Sequence, residues 1–414
     1  MRVLQIPRRF VRDDWGGTET VIFETCQRLL QRGWDTSVCC PNALAESNFD
    51  SLDGLNVRRF PYFYPYLGLS AEASHRLDKK AGNLFSWSLL RHLQQEPLVD
   101  VMHVHSGKRL GGIVRHVARQ RGIPYVVSLH GGVLDVPAEE ASSWTEPTRG
   151  TLEWGKALGW WVGSRRVLDD AAAILCVGGG EYRAMSAQFP QKRVIQLPNG
   201  ADVERFAHGD GASFRRKHGI PHAAKVMLCV ARIDPQKNQI ALVDTLQQCL
   251  QVEPNTHLVL IGHVTNHQYA WNVQDRISTQ ELASNVTIIP GVDPLSSDLQ
   301  DAYQAADVFV LPSVHEPFGI VVLEAWAAGL PVVANSVGGL VDLIDHEVDG
   351  LLCSPTSPES FTSAVRELLT CPAEHRMRLG DRGQEKACRE YSWDAVTEKL
   401  IDIYAEVTDH AIAC

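Results

Sequence analysis

What the chain lacks narrows it first. No apolar stretch can span a bilayer: the longest, residues 320–334, is interrupted by Glu324 and falls short of the roughly 20 residues a membrane helix needs. The amino terminus, MRVLQIPRRFVRDD, is broken by Arg2, Arg8, Arg9 and Arg12 before an apolar core can form. No secretory signal is expected there, and the chain is expected in the cytoplasm. There is no C-x-x-C; the ten cysteines are scattered, only Cys39 and Cys40 being adjacent, which argues against a cysteine-built metal site and for reduced, mostly buried thiols. The dinucleotide fingerprint G-x-G-x-x-G is also missing, since GGGEYR at 178–183 has Arg183 where the last glycine should stand. That disfavours a dehydrogenase. No tandem repeat or low-complexity tract occurs.

What is present is ample for two packed cores. At 414 residues, with 44% hydrophobic and 21% charged, the chain exceeds one ordinary domain and shows neither a fibrous nor a disordered bias. Residues 1–200 carry 24 Lys/Arg against 20 Asp/Glu, residues 201–414 carry 15 against 29, and the net charge is −10. The two halves therefore meet different partners, the first suiting something anionic.

Short apolar runs alternate with amphipathic segments: RVLQIP, TVIFETCQRLLQRG, WDTSVCCP, VDVMHVHS, PYVVSLHGG, AAAILCVG and RVIQLPNG, then afresh KVMLCVAR, HLVLIGH, NVTIIPG, DVFVLPS, PVVAN and GLLC. This rhythm predicts α/β domains with parallel, doubly wound sheets. The boundary falls near the Pro-Asn-Gly turn at 198–200. Residues 1–200 and 201–392 form the two domains, and 393–414 form an amphipathic helix. Ligands of such sheets bind at the carboxyl ends of strands.

One stretch concentrates the chemistry. In 315-HEPFGIVVLEAW-326 a strand ends, a Pro-Phe-Gly turn follows Glu316, and a helix opens at or just after Gly319 with Glu324 one turn inside. The free N–H groups expected at Phe318, Gly319 and Ile320 suit oxygens bearing lone pairs or negative charge. Glu324 sits on an almost uncharged helix and so requires a partner.

E-P-F-G-x-x-x-L-E, with GLPVVANSVGGLVDLI and DGLL after it, resembles the retaining GT-B glycosyltransferases of glycosyltransferase family 4. The resemblance implies a GT-B fold, two facing Rossmann-like domains with an interdomain cleft. The first would be acceptor-binding and the second nucleotide-sugar-binding, with the last helix returning to the first and hinging the closure of the cleft. It places Glu316 on the donor sugar, Glu324 on the ribose hydroxyls, and Arg232 and Lys237 of VARIDPQKN on the diphosphate, with Phe318 to Ile320 holding sugar hydroxyls and phosphate. It also implies roles for Gly16 and Gly17 facing the diphosphate, for His130 reaching the donor sugar, for Gly262 in a loop where His263 departs from the family's usual glycine or acid, and for Gly291 and Val292 meeting the base.

With no D-x-D in the chain, no metal is expected on the diphosphate; the cations and the helix terminus would serve instead, and no cofactor is implied. His103 and His105 share one strand face, and without a third ligand nearby the packed or hydrogen-bonded reading is preferred to a metal pair.

The expected reaction is hexosyl transfer with retention from a nucleotide diphosphate sugar to a carbohydrate or lipid-linked acceptor, with no nucleic acid partner. The alternatives are a small soluble acceptor such as a sugar phosphate, an epimerase on the same fold, or a non-catalytic sugar-binding protein. Residues 101–134 hold five Lys/Arg and no acid, and GGIVRHVARQRG suits an anionic membrane, a phosphorylated acceptor, or a plain solvated face. FPYFYPYLGL at 60–69 and Trp144, Trp154, Trp160 and Trp161 would stack on sugars, dip into lipid, or pack a satellite core. HGGVLD and the segment beyond it resemble bacterial enzymes that build surface polysaccharides. No acceptor-binding residue is assigned.

Overall fold

The computed structural model describes residues 1–12, 15–79, 82–131, 146–292 and 296–413. Trp144 and residues 132–135 of the HGGVLD stretch lie outside them. The chain divides into two units, Met1–Pro198 with Val396–Cys414, and Asn199–Ala395.

In the first unit eight strands run in the order Val194–Gln196, Ala173–Cys176, Tyr125–Leu129, Val101–Val104, Arg2–Ile6, Asp35–Pro41, Leu55–Phe60, Phe49–Leu52. All pairs are parallel except the last, a hairpin turned by Asp53 and Gly54, both at positive φ. The central strands Val101–Val104 and Tyr125–Leu129 are buried at every position, as strands covered on both faces must be. Helix Gly17–Gln31 buries Ile22, Cys26 and Leu29, a stripe at helical spacing. Helix Trp393–Ala413 supplies Val396, Leu400, Ile403, Tyr404 and Val407 to a core with Val3, Val101, Val126 and Leu175.

The second unit holds six parallel strands: Val286–Ile289, Thr256–Ile261, Lys225–Val230, Val308–Leu311, Val332–Asn335, Leu351–Cys353. Chain order runs outward from Lys225–Val230 in one direction and from its neighbour Val308–Leu311 in the other. The junction of these two strands is the point where an open α/β sheet splays its connections and leaves room for a ligand.

Two stretches for which the sequence left several readings open acquire partners here. On helix Lys108–Arg121, Arg109 is buried against Glu153, and Arg115 and the exposed Arg119 converge on Asp170. The neutralising acids come from residues 153 and 170, outside the acid-free window that made the helix look basic. The aromatic run at 60–69 packs inward: Tyr62 and Tyr64 donate to the Asp78 carboxylate, Tyr66–Leu67 pairs with Leu152–Glu153, and Phe63 stacks on Trp154 with ring centroids 5.8 Å apart. Trp160 stays 87% exposed.

Candidate active site

At the junction in the second unit, Lys237 follows strand Lys225–Val230 and Glu316 follows Val308–Leu311. The Lys237 ammonium donates to Glu316 Oε2 at 2.6 Å, and both side chains are nearly buried. The segment carrying Lys237 is shaped by Asp234, whose Oδ1 accepts from the N–H groups of Gln236 and Lys237 at 2.9 and 3.2 Å. Asp234 Oδ2 accepts from Thr265 at 3.2 Å and lies 3.3 Å from the exposed Arg232 guanidinium. Arg232 is thus tied to the segment that carries Lys237 through Asp234. Asp234 is not assigned from the sequence; its signal is the Asp-Pro step between the two basic residues.

The backbone of Glu316 is held from the other side. Its carbonyl accepts the N–H of Gly339 at 2.9 Å, and a Cβ on Gly338, at φ +51°, would meet that oxygen at 2.1 Å. The Gly-Gly of NSVGGL is therefore required by close approach of two chains.

Helix Ile320–Ala327 starts after Gly319, which takes φ +99° where any Cβ would strike Leu340. Among the described residues, no hydrogen-bond acceptor faces the N–H groups of Phe318, Gly319, Ile320 or Val321, and no side chain caps the helix. The free donors thus extend one residue beyond those expected. Glu324 accepts a hydrogen bond from Tyr303 at 2.7 Å, and burial pushes its carboxyl up to about 7, against the pull of that bond and of Arg205. Tyr303, itself fully buried, also escapes sequence reasoning; tyrosine within an amphipathic helix carries no signal beyond core packing.

Gly262 has a packing requirement of its own. Its N–H already donates to the Ile289 carbonyl at 3.0 Å, and a Cβ there would sit 1.8 Å from the Ala231 carbonyl oxygen. The neighbouring His263 ring lies against Gly291, at φ +102°, where a Cβ would clash at 2.5 Å. Val292 comes next at the same sheet edge.

In the first unit, Gly16 caps helix Gly17–Gln31, but its N–H is taken by Glu19 Oε2 at 3.0 Å, while Glu19 Oε1 pairs with Arg9 at 3.2 Å. A carboxylate thus already occupies the position expected to meet a diphosphate. At Gly17 a Cβ would meet nothing within 4 Å. His130 lies just past strand Tyr125–Leu129, its Nε2 2.9 Å from His105 Nδ1, and burial pushes it down to about 4. His103 and His105 are hydrogen-bonded, as the packed reading requires. Among the described residues no group of three or more His, Cys, Asp or Glu is arranged to hold a metal.

Two Rossmann-like units of this kind make up the GT-B class. Sucrose-phosphate synthase from Thermosynechococcus elongatus matches over 99% of this chain and all of its own, with TM-score 0.72 and 18% identity. Anabaena HepE, solved with UDP-glucose, matches over 98% of this chain and all of its own, with TM-score 0.68 and 16% identity. The chain belongs to the glycosyl transferases group 1, whose family pattern matches residues 210–386, while residues 16–200 match the glycosyl transferase 4-like domain. Among curated relatives, D-inositol 3-phosphate glycosyltransferase of Saccharomonospora viridis is 31% identical across 95% of this chain and 90% of that protein. The protein of the same name from Geodermatophilus obscurus is 27% identical across 97% and 87%.

Proposed function

We propose that this glycosyltransferase moves a hexose from a nucleotide diphosphate sugar to an acceptor hydroxyl with retention at the anomeric carbon, without a metal. The observation that carries the reading is the Lys237–Glu316 pair beside the free N–H groups of the helix at Ile320. The diphosphate draws Lys237 and Arg232, the helix N–H groups meet phosphate and sugar oxygens, Glu316 faces the sugar, and Glu324 accepts from the ribose hydroxyls. Charge-assisted bonds to the departing diphosphate contribute about 1.5–3 kcal/mol each. The bond from the anomeric carbon to the phosphate oxygen breaks, the acceptor oxygen bonds on the same face, and the acceptor proton passes to the leaving phosphate. Glu316 stabilises the oxocarbenium-like state electrostatically and forms no covalent intermediate.

The reaction would run in the cytoplasm or at the inner face of the membrane, in the making of a polysaccharide or glycolipid. Trp160, with Lys156, Arg165 and Arg166 exposed nearby, would form the membrane contact in place of helix Lys108–Arg121. A second reading, a phosphorylated small acceptor, is favoured by the relatives' name and by Lys108, whose pKa is lowered by burial and by the cations Arg8 and Arg109.

The test is incubation of the purified protein with UDP-, GDP- and ADP-hexoses and a panel of phosphorylated, neutral and lipid-linked acceptors, with product anomers read by NMR. Retained configuration in a transfer product supports the reading. Binding of no nucleotide sugar sinks it, and sugar inversion without an acceptor would favour an epimerase.

A further inference from the structure

Beneath His130 runs a buried polar array that the donor site does not use. Tyr404, on helix Trp393–Ala413, lies 2.6 Å from His103 Nδ1, and His103 Nε2 lies 2.7 Å from the Ser128 hydroxyl. Gln5 Nε2 donates to the Tyr404 oxygen at 3.1 Å, and Gln5 Oε1 lies 2.8 Å from His105 Nε2. His105 Nδ1 in turn meets His130 Nε2 at 2.9 Å. Parallel pairing of the Arg2–Ile6 and Val101–Val104 strands sets Gln5 beside His103, and the His103 and His105 rings pack with centroids 4.1 Å apart.

We propose that Tyr404 and Gln5 are positioning residues that fix the proton of His130 on Nε2, so that the ring presents a bare Nδ1 to the donor sugar and acts as an acceptor. This rests on the reading of His130 as a sugar contact. Each proton is fixed in turn by whether its neighbour can donate or only accept. The Gln5 amide nitrogen faces Tyr404, so the tyrosine proton has only His103 Nδ1 to meet. The Gln5 carbonyl oxygen can only accept, so His105 carries its proton on Nε2. Burial and two neighbouring imidazoles hold His105 neutral, leaving its Nδ1 bare. A bare Nδ1 accepts, so the proton between the two rings belongs to His130 Nε2. His130 is neutral too, and its lone pair falls on Nδ1.

The consequence is directional. A sugar hydroxyl at His130 must donate to the ring, leaving its own oxygen lone pairs for other groups. If the Gln5 amide were turned over, every bond in the run would reverse and His130 would present an N–H instead. One residue thus selects between two opposite contacts for the same imidazole.

The experiment is long-range proton–nitrogen correlation NMR on the full chain carrying nitrogen-labelled histidine, with His130→Gln identifying the His130 signals. In the wild type a protonated-type Nε2 and a bare Nδ1 are expected. Tyr404→Phe keeps the ring in its core and frees the Gln5 amide, so the two His130 nitrogens should move toward each other as tautomers mix, and the donor KM should rise several-fold more than kcat falls. A wild-type Nδ1–H on His130 overturns the proposal whether or not the variant folds, as does a His130 spectrum unmoved by Tyr404→Phe. If the expected tautomer is found and no nucleotide sugar is turned over, the proton assignment stands and the transferase reading falls instead.

Discussion

Lys237 and Glu316 hold each other across the junction between the two halves of one sheet, at 2.6 Å and with little solvent on either side chain. Removing one partner leaves an uncompensated charge. Lys237→Ala is expected to cost up to about 3 kcal/mol, the low end for a broken buried pair because the edge keeps some solvent. The double change Lys237→Met with Glu316→Leu should recover most of that while remaining inactive. Urea unfolding of the wild type and the two variants checks this; a double variant no more stable than Lys237→Ala would show that the lost stability does not come from the stranded charge.

The proposed ribose contact of Glu324 predicts nucleotide binding that depends on pH. Its folded carboxyl titrates near 7 against an ordinary 4.5, because burial opposes the charge. The folded state therefore binds the proton more tightly, so this group's contribution to stability is greatest below about 4.5, falls as pH rises to about 7, and is flat above. With Glu324 accepting from ribose hydroxyls, as proposed, the ionised form is the binding form, so affinity for a nucleoside diphosphate should weaken by roughly tenfold from pH 8 to pH 6. Calorimetric titration across that range should show the change in the wild type and lose it in Glu324→Gln. Tyr303→Phe removes a bond that favours the carboxylate and should move the midpoint upward.

At Gly338 the added methyl of Gly338→Ala meets the Glu316 carbonyl oxygen at 2.1 Å, on a backbone at φ +51°. Overpacking of about 1–3 kcal/mol should add to the left-handed backbone cost, and kcat should fall because Glu316 must move. Gly219→Ala is the control: φ is +67° but nothing lies within 4 Å, so about 1–2 kcal/mol is lost and activity stays. Equal thermal shifts in the two variants would count against the close-approach account.

Asp170 gathers Arg115, Arg119 and Arg166. Asp170→Asn should release the two exposed arginines and increase binding to anionic vesicles in low salt, with the effect gone near 1 M salt. Unchanged vesicle binding would mean those cations were already available to a membrane.

The strands and the glutamate motif are readable because buried parallel strands are continuous apolar runs and because a helix opening after Pro-Phe-Gly leaves a local trace. The hairpin at Asp53 and Gly54 is missed although its Asp-Gly step is a hairpin signal, since the flanking runs are short and partly exposed. Tyr303 and Tyr404 are invisible for a different reason. Their partners, Glu324 and Gln5, stand 21 and 399 residues away in the chain, so only the fold brings each pair together. The partners of the basic helix are not legible because charge is counted along the sequence, while Arg109 and Arg115 find their acids in space.

The helix Trp393–Ala413 covers Val3, Val101, Val126 and Leu175 of the first unit, yet it leaves the ribosome only after the entire second unit has been made. During synthesis the first sheet must wait with one apolar face bare while some two hundred further residues are added. A nascent chain halted before residue 396 would therefore be a natural client for chaperones that shield greasy surfaces, and the order of translation, rather than thermodynamics alone, governs when this protein first becomes whole.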